Sequence, residues 1–173
     1  MKFKPLPPLE ELKEHLDYNP DTGIITWKKP THFCVKVGEE AGCLNAQTET
    51  VVYRWIQFNH IRYKAHRLAC YMYYGIDPLE KEIDHIDGNG LNNKINNLRL
   101  ATHSENARNR SMAKKNTSGI TGVHWNKKRK KWEAYIKVGY KQKFLGYFLN
   151  KEDAIQARKE AEKKYFGKFR RQD

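Results

Sequence analysis

The sequence has few cysteines, no long apolar run and no stretch typical of a leader, and each shortage argues against a class of protein. Three cysteines at wide spacings, Cys34, Cys43 and Cys70, form no CxxC pair. We therefore expect reduced, mostly packed thiols and no structural zinc, which needs four close ligands. The longest apolar run, near residues 69–74, is far shorter than the ~20 residues that span a bilayer. The start, MKFKPLPPLEEL, lacks the apolar stretch of a secretory signal, so we expect a cytoplasmic protein with no membrane partner.

Acidic residues are scarce in the last third of the chain, and this scarcity gives the protein its net charge of +13 over 173 residues. Residues 1–107 hold 13 Lys and Arg against 14 Asp and Glu, whereas residues 108–173 hold 20 against 6. A neutral body joined to a strongly basic segment predicts that the last third binds a polyanion. The plain alternative is a solvated charged surface.

Hydrophobic periodicity predicts an α+β fold that begins with a small antiparallel sheet. An amphipathic helix is predicted over residues 9–18 and a strand over 24–27. YRWIQF and IRYKA, residues 53–58 and 61–65, alternate on either side of an Asn-His turn and predict a hairpin. Residues 38–50 are turn-rich, and no element is assigned to them. A helix follows over residues 66–75, with an apolar stripe made of Leu68, Ala69, Met72 and Tyr73.

Residues 81–112 predict a strand, a loop, a strand and a helix that bring a carboxylate, an imidazole and an amide together. The carboxylate of Asp84 and the amide oxygen of Asn106 are hard ligands suited to Mg²⁺ or Mn²⁺. His85 can take a proton near neutral pH. Because neighbours on an ideal strand face opposite ways, Asp84 and His85 can act together only if the strand ends or bulges there. The alternative is that all three are ordinary loop and helix-surface residues.

The segment IDHIDGNGLNNKINNLRLATHSENARN resembles the HNH nucleases of phages and group I introns, whose ββα-metal finger has roughly the sequence DHxDGNxxNNxxxNLRxxTxxxN. The resemblance covers residues 66–109 and extends loosely to YNPDTGIITW. It implies that Asp84 and Asn106 hold one divalent metal and that His85 is the general base. It also implies that Asn97, the middle asparagine, braces the loop and orients the histidine.

Several further residues lie in or near this motif. His103 adds an imidazole that can approach the phosphate, and Leu100 stands where a tryptophan is common in the family. We expect Asn92, Asn93 and Asn96 to be structural turn formers. His66 is expected to be a helix-start or core histidine rather than a ligand.

Three alternating runs after residue 118, GVHWN, KWEAYIKV and KFLGYF, precede a helical segment that starts KEDAIQAR. They predict a three-stranded sheet packed on one helix. The words SGITGVHWNKKRKKWEAYI, KFLGYF and KEDAIQAR resemble the ethylene-response-factor (APETALA-type) DNA-binding domain, whose sheet enters the major groove. The resemblance implies double-stranded DNA as partner, with His124, Trp125, Lys127, Arg129, Lys131, Trp132, Lys137 and Lys143 as candidate contacts. Alternation assigns Val123, Trp125, Ala134, Ile136, Leu145 and Phe148 to the sheet core or face, and Trp132, in a basic turn, is expected to be exposed.

The sequence therefore predicts a nuclease domain at residues 1–110 with its finger at 81–112, a linker at 111–117 and a DNA-binding domain at 118–173. The expected function is site-specific DNA cleavage by a phage-encoded, homing-type enzyme. A DNA-binding regulator without catalysis is the first alternative, disfavoured because Asp84, His85 and Asn106 are all present. The second is a nonspecific or structure-selective nuclease anchored by its basic tail. No dimer seam or obligatory protein partner is evident.

Overall fold

The computed structural model describes residues 4–46, 52–109, 118–139 and 141–170. The chain divides into two compact units, Met1–His103 and Ser104–Asp173. The linker expected at 111–117 lies outside the described residues, and the expected domain limits stay a prediction. The fold is α+β, as the periodicity indicated, with small antiparallel sheets and a C-terminal sheet packed on a helix.

The first unit opens with helix α1 (Leu9–His15) and a hairpin of β1 (Leu16–Tyr18) and β2 (Ile25–Trp27). The prediction of one helix over 9–18 is wrong at its end, because Leu16–Tyr18 pairs antiparallel with Ile25–Trp27. That pairing gives the main-chain groups along the facing edges of both short strands their partners, and Leu16 is buried at 1% exposure. Local amphipathic periodicity is overridden by a tertiary contact here.

A three-stranded sheet follows, in the order β3 (Cys43–Ala46), β4 (Val52–Phe58), β5 (Ile61–Lys64). The predicted hairpin is confirmed, and Asn59 and His60 have the positive φ values, 47° and 61°, of a tight hairpin turn. Strand β3 was not predicted, because all four of its residues are exposed and carry no alternation of burial.

Helix α2 (Ala65–Tyr74) follows β5 and ends at Gly75, which adopts the left-handed conformation. Leu68, Ala69 and Met72 are buried as predicted, but Tyr73 is 51% exposed and lies outside the buried stripe. Burial raises the pKa of the Cys70 thiol to about 12. The other two cysteines, Cys34 and Cys43, are exposed, so the expectation of mostly packed thiols is wrong for them.

Two further strands, β6 (Glu82–His85) and β7 (Leu98–Ala101), form an antiparallel hairpin. Ile83 and Leu98 of this hairpin belong to the same hydrophobic core as Leu12, Leu16, Ile25, Ile56, Phe58 and Leu68. The hairpin is therefore anchored by the main core of the first unit. A single 3₁₀ turn, Ile95–Asn97, precedes β7, and the short helix α3 (His103–Asn106) follows it.

The second unit contains strands β8 (Val123–Asn126), β9 (Lys131–Val138) and β10 (Lys141–Phe148), in the order β10-β9-β8, and helix α4 (Lys151–Phe166). All four elements were predicted. The sheet packs on α4 through two clusters of buried residues: Val123, Ala134 and Ala154, then Ile136, Ala161 and Phe166. In the ranges that the structure describes, no helix is long and apolar enough to cross a membrane.

Candidate active site

The β6–β7 hairpin carries the predicted carboxylate and imidazole at its end. Asp84 lies opposite Arg99, and His85 lies opposite Leu98. Strand β6 ends at His85, which meets the condition that the strand must stop for two neighbouring side chains to act together. Both side chains are buried, with residue exposures of 4% for Asp84 and 5% for His85.

Asp84 forms an ion pair with Arg99 across the hairpin. Oδ2 of Asp84 lies 2.7 Å from Nε and 2.6 Å from Nη2 of Arg99. A buried carboxylate is unfavourable without an opposite charge, and Arg99 supplies that charge. Arg99 was not identified from the sequence. The pairing of the two predicted strands could have indicated it, because residues of opposite charge that face each other on antiparallel strands attract.

His85 is held by an asparagine amide. Its Nε2 lies 3.0 Å from Oδ1 of Asn93, which is itself buried. An amide oxygen only accepts a hydrogen bond, so this contact favours the neutral tautomer with its hydrogen on Nε2 and its basic lone pair on Nδ1. Burial lowers the pKa of His85 below its usual 6.5, while the hydrogen bond with Asn93 opposes that shift. The imidazole is therefore neutral, and able to accept a proton, at neutral pH.

Two aromatic rings enclose His85 on other sides. The ring of His66 meets it edge-on with centroids 5.0 Å apart, and the ring of Tyr53 is tilted against it at 6.0 Å. His66 is the second residue of α2, and burial lowers its pKa well below 6.5. Neutral neighbours of this kind fix the plane of the His85 imidazole without themselves adding charge.

Asn97 braces the loop between the strands. Its Nδ2 donates to Oδ1 of Asp87 at 2.9 Å and to the carbonyl of Asn92 at 2.8 Å, and its Oδ1 accepts from the amide of Asp87 at 3.1 Å. The histidine ring itself is contacted by the side chain of Asn93, and the orienting role of Asn97 stays a prediction. Asn93 was expected to be a plain turn former, because an asparagine in a turn-rich loop carries no local signal of a contact with His85.

His103 and Asn106 stand at the two ends of α3. The side chain of His103 is 79% exposed, and its Nδ1 lies 2.7 Å from Oε1 of Glu82. Asn106 is half-buried and belongs to the second unit, so its role as a metal ligand stays a prediction. Among the described residues no group of three or more His, Cys, Asp or Glu could hold a metal ion. A donor set of one carboxylate and one amide fits Mg²⁺, which keeps water and phosphate in its other positions.

The sheet of the second unit has a helix side and an opposite side, which we call the free face. Side chains alternate along β9, so Ala134 and Ile136 face α4 while Lys131, Tyr135 and Lys137 lie on the free face. On that face the rings of His124 and Phe144 contact Tyr135. The ring of Tyr147 contacts Phe144, and the guanidinium of Arg129 lies over the Tyr147 ring. The free face thus combines exposed aromatic rings with basic groups.

Three of the predicted DNA contacts lie on the helix side instead. Trp132 is half-buried against the cluster of Val123, Ala134 and Ala154. Trp125 packs edge-on against Trp132 at 5.4 Å between centroids, and Nζ of Lys143 lies 4.5 Å above the ring of Tyr165 in α4. The expectation that Trp132 is exposed is wrong, because residues 132, 134 and 136 share one face of β9. Trp125, Trp132 and Lys143 therefore lie on the helix side, and the contact of all eight candidates with DNA stays a prediction.

Comparison with known proteins gives a family match that includes Asp84 and His85. Residues 63–108 match the family model described as HNH endonuclease. The chain therefore contains an HNH endonuclease domain, the class of domain that hydrolyses phosphodiester bonds, and the resemblance seen in residues 66–109 is confirmed to that extent. Over 60 residues the chain is 48% identical to Protein 3.8 of Escherichia phage T7, an alignment that covers 35% of this chain and 50% of the T7 protein. The chain spans half the length of that relative, and no solved structure matches it.

Proposed function

We propose that this protein is a metal-dependent, site-specific endonuclease that cuts double-stranded DNA with its HNH domain and holds the DNA with its second unit. The observation that carries the proposal is the buried pair Asp84 and His85 at the end of β6, inside the matched residues 63–108. A homing role in a phage is the finer part of the proposal. It is supported by the sequence motif of the finger and by the similarity to a T7 protein.

In the proposed reaction His85 is the general base. Its Nδ1 takes a proton from the attacking water, and Nε2 continues to donate to Asn93 after the ring becomes charged. The amide oxygen of Asn93 stabilises that imidazolium, because it accepts a stronger hydrogen bond from a charged donor. Tyr53 and His66 hold the ring plane while the proton moves.

Asp84 and Asn106 are the residues proposed to hold Mg²⁺ or Mn²⁺. When bound, the ion neutralises charge on the scissile phosphate and on the leaving oxygen. Arg99 keeps the Asp84 carboxylate in one orientation through its two contacts with Oδ2. A carboxylate has about four lone-pair sites, so its ion pair with Arg99 is compatible with a further ligand bond.

The free face of the second unit is proposed to contact the DNA. Arg129, Lys131 and Lys137 are exposed and attract phosphate, while Phe144 and Tyr147, 49% and 41% exposed, offer apolar surface to bases and sugars. A buried acid on this face, Glu133, bonds the hydroxyl of Tyr135 at 2.8 Å and lies 3.2 Å from Nε2 of His124. The amide of Asn126 also donates to this carboxylate, so Glu133 is held in place by its neighbours on the sheet.

The nuclease proposal is tested by incubating supercoiled plasmid with the protein and Mg²⁺. We expect nicked circles first, because one HNH finger cuts one strand at a time, and linear DNA only after a second event. Excess EDTA should stop the reaction, since the site chemistry needs a divalent ion. Cleavage at the full rate in EDTA would contradict the metal requirement, and binding without any cleavage would favour the alternative of a catalytically inactive regulator.

The DNA-binding role of the free face predicts an asymmetry between two triple variants that lose the same charge. Arg129→Ala, Lys131→Ala and Lys137→Ala together should weaken binding and flatten the salt slope by roughly three units, about one per lost phosphate contact. The matched control changes three lysines that lie over aromatic rings, Lys143, Lys151 and Lys164, to Ala. The affinity is measured at several salt concentrations, on a duplex selected for binding to the protein and on a duplex of random sequence.

If both triple variants lose affinity equally, the free face is not the DNA-binding surface and only total charge matters. Equal affinity of the unmodified chain for selected and random duplexes would favour the alternative of a nonspecific nuclease.

A further inference from the structure

The turn of the N-terminal hairpin, residues 19–23 between β1 and β2, lies against the loop that holds the catalytic histidine. The hydroxyl of Tyr18 donates to the main-chain carbonyl of Asn93 at 2.7 Å. The amide of Ile95 donates to the carbonyl of Pro20 at 3.0 Å. Two hydrogen bonds thus join segments that lie far apart in the chain, on either side of Lys94.

Gly23 brings the two segments into direct contact. Its φ is +77°, and a Cβ at this position would lie 2.4 Å from the amide nitrogen of Lys94 and 2.5 Å from the carbonyl carbon of Asn93. Any other residue would be strained and would push the turn away from the loop. The turn therefore meets residues 93–95 through Tyr18, Pro20 and Gly23, one after the other.

The turn is itself held in one conformation by internal hydrogen bonds. Asn19 closes it with its main chain, accepting from the amide of Gly23 at 2.9 Å and donating to the carbonyl of Ile24 at 3.0 Å. Its Oδ1 accepts from the amides of Asp21 and Thr22 at 3.0 and 3.1 Å. Behind the turn, Leu16 and Ile25 are fully buried in the main core. A turn with these internal bonds and this anchorage holds a fixed place relative to the core.

We propose that Tyr18 is a positioning residue for His85, acting through Asn93: the hairpin turn holds the main chain of Asn93, and the amide of Asn93 then holds the imidazole. The chain of contacts is the Tyr18 hydroxyl to the Asn93 carbonyl, then Asn93 Oδ1 to His85 Nε2 at 3.0 Å. Tyr18 and the whole turn precede residue 63, where the family match begins. The inference rests on the proposed function for its catalytic consequence, but the hydrogen-bond chain has a test of its own.

The physical basis is that Asn93 needs a fixed backbone to select one state of His85. Burial raises the pKa of Tyr18 above its usual 10, so the hydroxyl stays protonated and remains a donor at neutral pH. A histidine ring held by one acceptor on Nε2 keeps its basic lone pair on Nδ1. If the Asn93 backbone shifts, the amide oxygen no longer selects that tautomer, and Nδ1 no longer points at the attacking water.

The test compares Tyr18→Phe with Tyr63→Phe in the full chain. Tyr63 is a buried tyrosine of the same unit that does not hydrogen-bond Asn93. The first readout is the ¹⁵N spectrum of the histidine rings, with the His85 signals assigned by comparison with His85→Ala. We expect one Nε2-protonated form of His85 in the unmodified chain and in Tyr63→Phe, and a mixture of the two tautomers in Tyr18→Phe.

The second readout is Mg²⁺-dependent nicking at saturating and at low DNA concentrations. For Tyr18→Phe we expect kcat to fall roughly 3- to 10-fold, the effect of one lost hydrogen bond of about 1 kcal/mol, with KM unchanged. Gly23→Ala, which displaces the turn without touching the hydroxyl, should lower kcat in the same direction and show the same ring spectrum. Circular dichroism at the assay temperature checks that each variant is folded.

The outcomes separate the positioning role from the nuclease function. If Tyr18→Phe and Tyr63→Phe give the same ring spectrum and the same kcat, the positioning role is overturned. A change in KM alone would overturn it too, because a positioning residue acts on turnover. If the unmodified chain does not nick DNA but the ring spectra differ as expected, the hydrogen-bond chain is supported and the nuclease proposal fails.

Discussion

Asp84→Asn should reduce nicking of supercoiled DNA by roughly 10³-fold, because several kcal/mol of charge stabilisation in the transition state depend on the metal that this carboxylate is proposed to hold. DNA binding should remain close to that of the unmodified chain, since Asp84 is buried and the basic groups proposed to bind the phosphates lie in the second unit. Initial nicking rates and gel-shift affinities are measured on the same plasmid and duplex.

Asparagine is the informative substitution because it keeps the volume of the side chain and an oxygen that accepts from Arg99. Asp84→Ala also abolishes cleavage in this proposal, but it leaves the Arg99 cation without its buried partner, which costs roughly 3–5 kcal/mol of stability. Urea unfolding of both variants separates the loss of chemistry from the loss of fold. Asp17→Asn removes an exposed carboxylate of the same unit and should change neither rate nor stability. Full activity in Asp84→Asn would remove Asp84 from the proposed metal site.

His85→Ala should lower turnover by ~10²–10⁴-fold, the usual contribution of a positioned proton-transfer group. His103→Ala should cost much less, because His103 is a largely exposed side chain paired with Glu82 at the surface. Single-turnover nicking at saturating DNA measures both variants. A larger loss in His103→Ala than in His85→Ala would move the general base to His103.

Two further measurements sharpen the assignment of the base. Added imidazole should restore part of the rate of His85→Ala, because the variant leaves a ring-sized space beside Asn93, Tyr53 and His66. In the unmodified chain the acid limb of the pH profile of kcat/KM should lie below pH 6.5. The sign follows from burial, which lowers the pKa of His85 and so keeps the ring neutral as the pH falls to that value. An acid limb above pH 6.5 would contradict this assignment.

Much of the fold was predictable wherever an element is long enough to carry a period. Strands β4, β5, β8, β9 and β10 and helices α2 and α4 follow alternation or helical spacing over several residues. The failures fall on short elements. Leu16–Tyr18 is a strand of three residues that continues a helical pattern, and Cys43–Ala46 is an exposed strand with no apolar side to reveal it. In each case pairing with a partner strand, rather than local preference, decides the structure.

The candidate site divides in the same way. The candidates Asp84, His85, Asn97 and Asn106 follow from residue types at fixed spacing. The end of β6 at His85, which the proposed joint action of Asp84 and His85 requires, follows from the turn-rich loop after it. The hydrogen bond between Asn93 and His85, and the support of Asn93 by Tyr18, depend on contacts across eight and seventy-five positions. No local pattern marks such contacts, because an asparagine in a loop, or a tyrosine at the end of a strand, looks the same in the sequence whichever partner it contacts.

The sequence by itself determined which chemical groups the candidate site contains and in what order the elements follow. These are a carboxylate, an imidazole and asparagines in an HNH finger, followed by a basic segment with three strands and a helix. The tertiary structure alone decided which asparagine holds the imidazole, that Arg99 pairs with Asp84, and that Trp132 and Lys143 lie on the helix side of their sheet. The reason is physical. Residue types and periods are local properties of the chain, whereas hydrogen-bond partners, ion pairs and the buried side of a sheet are set by elements that meet only after folding.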